Sequence, residues 1–163
     1  MQRMKRLVID GHNLIPKVHG VSLQDAEDEN KLIDILNEYC RLSRTQVEVF
    51  FDAAPVPGSP SRKSGLVHAH FIRKGLTADD AIIDFVRRHQ SPDRLFTVIS
   101  SDHRVLSAAK NAGAATMTSE VFAVEMQRVF SSPVAVQAQK EKQLSESEVA
   151  LWLTEFENKQ RRQ

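Results

Sequence analysis

Residues 7–15, LVIDGHNLI, decide how this chain is read. Leu7-Val8-Ile9 is apolar and largely β-branched, like a strand buried on both faces of a sheet. It runs directly into Asp10, Gly11, His12 and Asn13. A carboxylate at the end of a buried strand needs a cap, a partner or a ligand. Gly11 suggests a tight turn after the strand, and Asn13 offers an amide within reach of it.

Outward from this stretch the pattern alternates. Residues 23–42 read as a helix with Leu32, Ile35, Leu36, Tyr39 and Cys40 on one face. Val47–Phe51 is a second strand, residues 53–66 a Pro/Gly/Ser-rich loop, and Val67–Ile72 a third strand. Thr77 is placed to cap a helix that turns Ile82, Ile83 and Val86 inward. Leu95–Ile99 is a fourth strand and residues 103–112 a short helix. A fifth strand at Ala114–Met117 and a helix over 119–130 complete the alternation. Strands alternating with helices predict an α/β fold, a three-layer α/β/α sandwich around a mostly parallel sheet. Residues 131–143 read as a linker. A C-terminal amphipathic helix follows in residues 144–163, with Ser145 and Glu148 as a capping box and Val149, Trp152, Leu153 and Phe156 as its stripe. That stripe suits packing on the main domain, or docking to a protein partner or a second copy.

The bulk numbers exclude several classes. The chain has 163 residues, enough for one domain of residues 1–130 with an appendage. Formal net charge is +1, so nucleic-acid binding requires a local patch. Cys40 is the sole cysteine, which excludes an internal disulfide and fits a reducing, cytoplasmic setting. No apolar run approaches a membrane span.

Three proposed strands lead into aspartate: LVID at Asp10, VFFD at Asp52 and TVISSD at Asp102. Asp79 and Asp80 open the helix after the third strand. Parallel strands bring their carboxyl ends to one rim, where ligands of open α/β sheets bind. One aspartate after a strand is ordinarily a cap. Four or five together repel and raise one another's pKa, and a hard divalent cation, Mg²⁺ or Mn²⁺, resolves that repulsion. His68 and His70 share one face of the third strand, but no third ligand is visible in sequence, so a structural or substrate-facing role is expected. No His/Cys spacing suggests zinc. Neither a Walker loop nor GxGxxG occurs. The DxD of haloacid dehalogenase phosphatases is missing, because Asp10 is followed by Gly11-His12. A phosphodiester substrate fits best.

VIDGHNLI (8–15), VFFDAAP (49–55), FIRKGLTADDAI (71–82) and TVISSDHRVLSAAKNAGA (97–114) resemble, in order and spacing, the NYN domains, most closely the YacP-like branch of the PIN-like nucleases. The resemblance covers about residues 5–130. It implies a Rossmann-like PIN fold and Mg²⁺- or Mn²⁺-dependent endoribonuclease activity. It implies Asp10 as central metal ligand, with Asp79 and Asp102 beside it and Asp52 direct or through water. Asp80 ranks lower. Asn13 would orient Asp10 or touch substrate. His12 stands where relatives often carry tyrosine and has no assigned role. Many relatives have a further acid after the "SD" aspartate, where this chain has His103 and Arg104. A metal site one carboxylate short is therefore expected.

An acidic rim repels RNA unless cations flank it. The candidates are Arg62 and Lys63 in the long loop, Arg73 and Lys74 after the third strand, and His103 and Arg104 beside Asp102. Few aromatics are available for base stacking, so single-stranded or ribosome-associated RNA would be recognised by shape or through a larger partner. The competing expectation is a non-catalytic RNA- or ribosome-binding module with a vestigial acidic site.

Overall fold

The computed structural model describes residues 4–24, 27–52, 61–92 and 95–160. In chain order these form β1 (Lys5–Asp10), α1 (Gly11–Leu14), a 3-10 turn (Ile15–Lys17), α2 (Asp28–Ser43), β2 (Thr45–Phe51), β3 (Ser61–Ser64) and β4 (Val67–Phe71). They continue with α3 (Ala78–His89), β5 (Thr97–Ile99), α4 (His103–Asn111), β6 (Ala115–Met117), α5 (Ser119–Phe130) and α6 (Pro133–Gln160). The strands form one sheet in the order β3-β4-β2-β1-β5-β6. Every neighbouring pair is parallel except β3–β4.

Strand periodicity builds two cores, one on each face. Leu7 and Ile9 of β1, with Val47, Val49 and Phe51 of β2, pack under α1, α2 and α5. Val8, Phe50 and Val98 point the other way, against Ala78, Ile82 and Val86 of α3 and Val105 and Ala109 of α4. This is the expected three-layer sandwich. Val8, Ile9, Val49 and Val98 have no exposure at all, as a doubly covered sheet requires.

Two expectations are corrected. Of the loop expected over 53–66, residues 53–60 lie outside the described residues, but Ser61–Ser64 is a strand. It pairs antiparallel with β4, Ser61 opposite His70 and Lys63 opposite His68. Gly65, at φ +56°, starts the two-residue hairpin turn. SRKS carries no apolar alternation because this is an edge strand, so it left no periodic signal.

The proposed linker is also helical. Ser132 Oγ accepts the Ala135 N–H at 3.2 Å and Pro133 occupies the first turn, so the helix starts here and not at Ser145. VAVQAQKEKQ looks like a linker by polarity, but it consists mostly of good helix formers. Ala135 is buried and α6 packs on α5 near its start. Farther along, Val149 and Leu151 are exposed. The side chains of Glu148, Trp152, Leu153 and Phe156 lie outside the described ones. Among the described residues, no helix is long and apolar enough to cross a membrane.

Candidate active site

Register decides which carboxylates meet. Asp10 aligns with Phe50. Asp10, Phe50 and Asp52 therefore share the face covered by α3, two residues apart along each strand. β5 lies on the other side of β1, with Val8 beside Val98, and delivers Ser100 and Asp102 to the same rim.

Asp10 is the most buried of the set. Its Oδ1 accepts the Asn13 N–H at 3.2 Å, and its Oδ2 accepts the Ser100 hydroxyl at 3.4 Å. Burial, together with the charges of Asp79 and Asp52, lifts its pKa to about 6 against the pull of the Asn13 hydrogen bond. Asp52 Oδ1 accepts the Ala78 N–H at 2.6 Å, tying the end of β2 to the start of α3. Asp102 caps α4, accepting from Arg104 N–H at 2.7 Å and Val105 N–H at 3.2 Å through Oδ1. Its own N–H donates to Ser100 Oγ at 3.1 Å, so Ser100 joins Asp102 to Asp10. Asp79 sits in the first turn of α3. Burial and the Asp102 charge raise its pKa, and Arg104 opposes them.

Asp80 differs. It is exposed and ion-paired to Arg104 at 3.0 Å, with its pKa lowered by Thr77 and then Arg104. Arg104 also reaches Asp79 Oδ2 at 3.5 Å. The cation expected to wait for phosphate thus tempers the acidic rim itself. Arg62 and Lys63 lie on β3 and not in a loop, and Arg62 donates to Asn30 of α2 at 2.8 Å. Arg73, Lys74 and His103 are exposed at the rim.

Several contributors were missed in sequence. Asn13 does not orient Asp10 with its side chain, because only its N–H touches that carboxylate. Its Oδ1 instead accepts from Ser101 N–H at 2.9 Å and Ser119 Oγ at 2.8 Å. Glu120, in the first turn of α5, accepts from Ser101 Oγ at 2.5 Å and pairs with Lys17 at 3.1 Å. The Ser101 bond, followed by its own backbone and Lys17, holds its pKa down to about 2. The rim therefore has a further carboxylate in a place where the "SD" segment gave no sign of it. The only cue was that Thr118-Ser119-Glu120 repeats the strand–cap–acid pattern.

His12 now has a role. Its Nδ1 accepts the Asp52 N–H at 3.3 Å, while Nε2 lies 3.2 Å from Glu29 Oε1. The Glu29 hydrogen bond raises its pKa. The ring meets Phe51 edge-on, with centroids 5.5 Å apart. His12 thus anchors the backbone of Asp52. Gly11 also differs from expectation. It begins α1, and a Cβ there would fall 2.3 Å from Phe51 Cε1 and 3.0 Å from the Phe50 carbonyl. The glycine answers close packing, with no positive φ involved.

The residues fit a hydrated hard cation. Asp10, Asp79 and Asp102 offer carboxylate oxygens at one rim, Asp79 sensing the charge of the other two, and the raised pKa of Asp10 comes first from burial and then from its neighbours' charges. Asp52 and Asp102 each have a second oxygen without a protein partner among the described residues. Among the described residues the rim aspartates form no trio with ligand atoms within 4.8 Å. Mg²⁺ tolerates such spacing by retaining water ligands.

A family model for the YacP-like NYN domain matches residues 7–162. The chain belongs to the YacP-like NYN domain family. The match runs through α6, beyond the residue-130 limit of the sequence resemblance. This family is a branch of the PIN-like nucleases. Two solved structures share the YacP-like fold. Rae1 (YacP) from Bacillus subtilis is 23% identical with a TM-score of 0.70, over 93% of this chain and 89% of that one. A tryptophan-to-leucine mutant of the same protein gives 22% identity and a TM-score of 0.62, over 77% and 76%. No curated protein shows significant sequence similarity to the chain.

Proposed function

We propose that this YacP-like NYN protein is a divalent-metal-dependent endoribonuclease that hydrolyses RNA phosphodiesters. One observation carries the reading: Asp10, Asp52, Asp79 and Asp102, from four separate segments, meet at the carboxyl ends of parallel strands with the Asp10 pKa raised to about 6. Asp10, Asp79 and Asp102 would hold Mg²⁺ or Mn²⁺, with Asp52 contributing its second oxygen or a bridging water, and Asp80 outside. A bound ion of this kind polarises a phosphoryl oxygen and lowers the pKa of a water.

The chain supplies the rest. Asp52 and Asp102 are oriented by the backbone N–H groups they accept, so little reorganisation is needed when substrate arrives. Ser100 holds Asp10 and Asp102 in fixed relation. Arg73, Lys74 and His103, exposed at the rim, would bind backbone phosphates, and Arg104 would limit the repulsion between RNA and Asp79. These are sequence-independent contacts, in keeping with single-stranded or ribosome-associated RNA as substrate. The exposed Val149 and Leu151 of α6 support its reading as an arm for a protein partner or a second copy.

A second reading is favoured by the capping bonds themselves. Asp10, Asp52 and Asp102 each satisfy a helix N-terminus, which a non-catalytic RNA-binding module would also retain. Incubation of mixed-sequence single-stranded RNA with Mg²⁺, Mn²⁺ or chelator, beside Asp10→Asn, separates the two. Cleavage by wild type with metal alone is expected. RNA left equally intact by both proteins in every condition, but still bound, would favour the module.

A further inference from the structure

His68 and His70 lacked a third ligand in the sequence, and the sheet supplies one. Parallel pairing of β2 with β4 sets Glu48 beside His68 and Phe50 beside His70. Glu48 Oε2 lies 2.6 Å from His70 Nε2 and 3.1 Å from His68 Nδ1. The three ligand atoms all fall within 4.8 Å of one another. Donors around a tetrahedral zinc ion with bonds of ~2.0–2.1 Å stand roughly 3.3 Å apart. The 3.1 Å separation from His68 is close to that spacing, and the 2.6 Å separation from His70 has to open by about 0.7 Å to admit an ion. The rings are also held. Phe50 stacks on His70 with centroids 4.4 Å apart and planes 15° apart, and Phe85 of α3 packs against the same ring at 5.9 Å.

We propose that Glu48, His68 and His70 form a site for a zinc-type divalent transition-metal ion, separate from the aspartate rim. Two imidazole nitrogens and one carboxylate suit Zn²⁺, and with it Co²⁺ or Ni²⁺, better than Mg²⁺. The side chains of His68, His70 and Glu48 are 38%, 18% and 27% exposed, enough for an ion to enter and for water to complete the shell. A cleft of about 420 Å³ lined by Ser61, His70 and Arg73 adjoins the site and is wide enough to admit water. The ion binds the unprotonated ring nitrogens and the carboxylate, so protons compete with it. Lys63 faces His68 across β3–β4 and is exposed, so its ammonium has solvent to occupy away from the ion.

The site is independent of the nuclease reading. Asp52 lies four residues beyond Glu48 on the same strand face, about 13 Å along β2, with Phe50 between them. An ion here cross-links β2 to β4 and stiffens the edge hairpin that carries Arg62 and Lys63.

The test is calorimetric titration of ZnCl₂ into the untagged full chain near neutral pH, for wild type, Glu48→Gln, His68→Ala and Asp10→Asn. One high-affinity Zn²⁺ is expected in wild type and in Asp10→Asn alike, whatever weaker binding the aspartate rim adds, with the affinity of that site at least about tenfold lower in the other two. A readout that needs no variant is the imidazole nitrogen NMR spectrum, in which Zn²⁺ shifts the His68 and His70 signals and leaves the exposed His19 in place. Unchanged affinity in Glu48→Gln and His68→Ala, loss of binding in Asp10→Asn alone, or His68 and His70 signals that ignore Zn²⁺ would each overturn the site.

Discussion

Asn13 and Ser101 are 88 residues apart, yet the Asn13 side-chain oxygen accepts the Ser101 N–H at 2.9 Å. The same oxygen accepts the Ser119 hydroxyl. One amide thus joins the starts of α1 and α5 to the loop that leads into Asp102. Asn13→Ala would strand two partly buried donors, at a cost of about 2 kcal/mol. A lowered denaturation midpoint with unchanged m-value is expected in urea. RNA cleavage should fall with it, because the loop that presents Asp102 loses its anchor.

Asp10→Asn separates stability from activity. The folded-state pKa of Asp10 is raised to about 6, above its usual value. Its ionisation therefore opposes folding. The stability it contributes is complete below about pH 4 and is lost as pH rises through about 6. Asparagine keeps the N-cap bond without the charge. The variant should be more stable than wild type at pH 7 by about 1–3 kcal/mol, and equal to it near pH 4. Cleavage should vanish. A variant less stable than wild type at pH 7 in thermal melts would contradict the assignment.

With Asp10 as a ligand, the proposed metal binding at the rim would require its ionised form. Affinity for Mg²⁺ or Mn²⁺ should weaken by about tenfold per pH unit below about pH 6. Calorimetric titrations across that range check the slope. Affinity independent of pH between 4.5 and 7, on the order of the folded-state titration range, would remove Asp10 from the ligand set.

Gly11→Ala places a methyl group 2.3 Å from the Phe51 ring. Phe51 is fully buried and packs against Phe71, so it has little room to move. Destabilisation of about 1–3 kcal/mol is expected, measured as a drop in melting temperature. Displacement of Asp10 beside it should lower cleavage as well.

Arg73→Ala with Lys74→Ala should weaken RNA binding without regard to sequence. If both side chains contact phosphates, the slope of log affinity against log salt falls by about one to two. Filter binding at several salt concentrations measures it. An unchanged slope would place the phosphate track elsewhere.

Read in order, the residues alone determined a great deal. Leu7-Val8-Ile9 and its counterparts are so uniformly apolar that only a doubly covered sheet accommodates them. The aspartates that follow Ile9, Phe51 and Ile99 lie at strand ends by chain order, so a parallel sheet brings them together whatever the details. Local signals failed where stability comes from elsewhere. β3 is polar and exists because β4 offers an edge to pair with. The start of α6 looked like a linker because polarity, unlike helix propensity, does not distinguish the two.

Only the tertiary structure decided the partners. Asn13 meets Ser101 and Ser119, His12 meets Asp52 and Glu29, and Glu120 joins the rim through Ser101, all by packing of segments distant in sequence. Gly11 is required by the position of the Phe51 ring, which no local pattern predicts. Glu48 completes the histidine pair because β2 and β4 align in one particular register. A slip of one residue would turn it to the opposite face. Periodicity is a property of one segment, whereas register and side-chain partnership are properties of two, and two segments meet only in the folded chain.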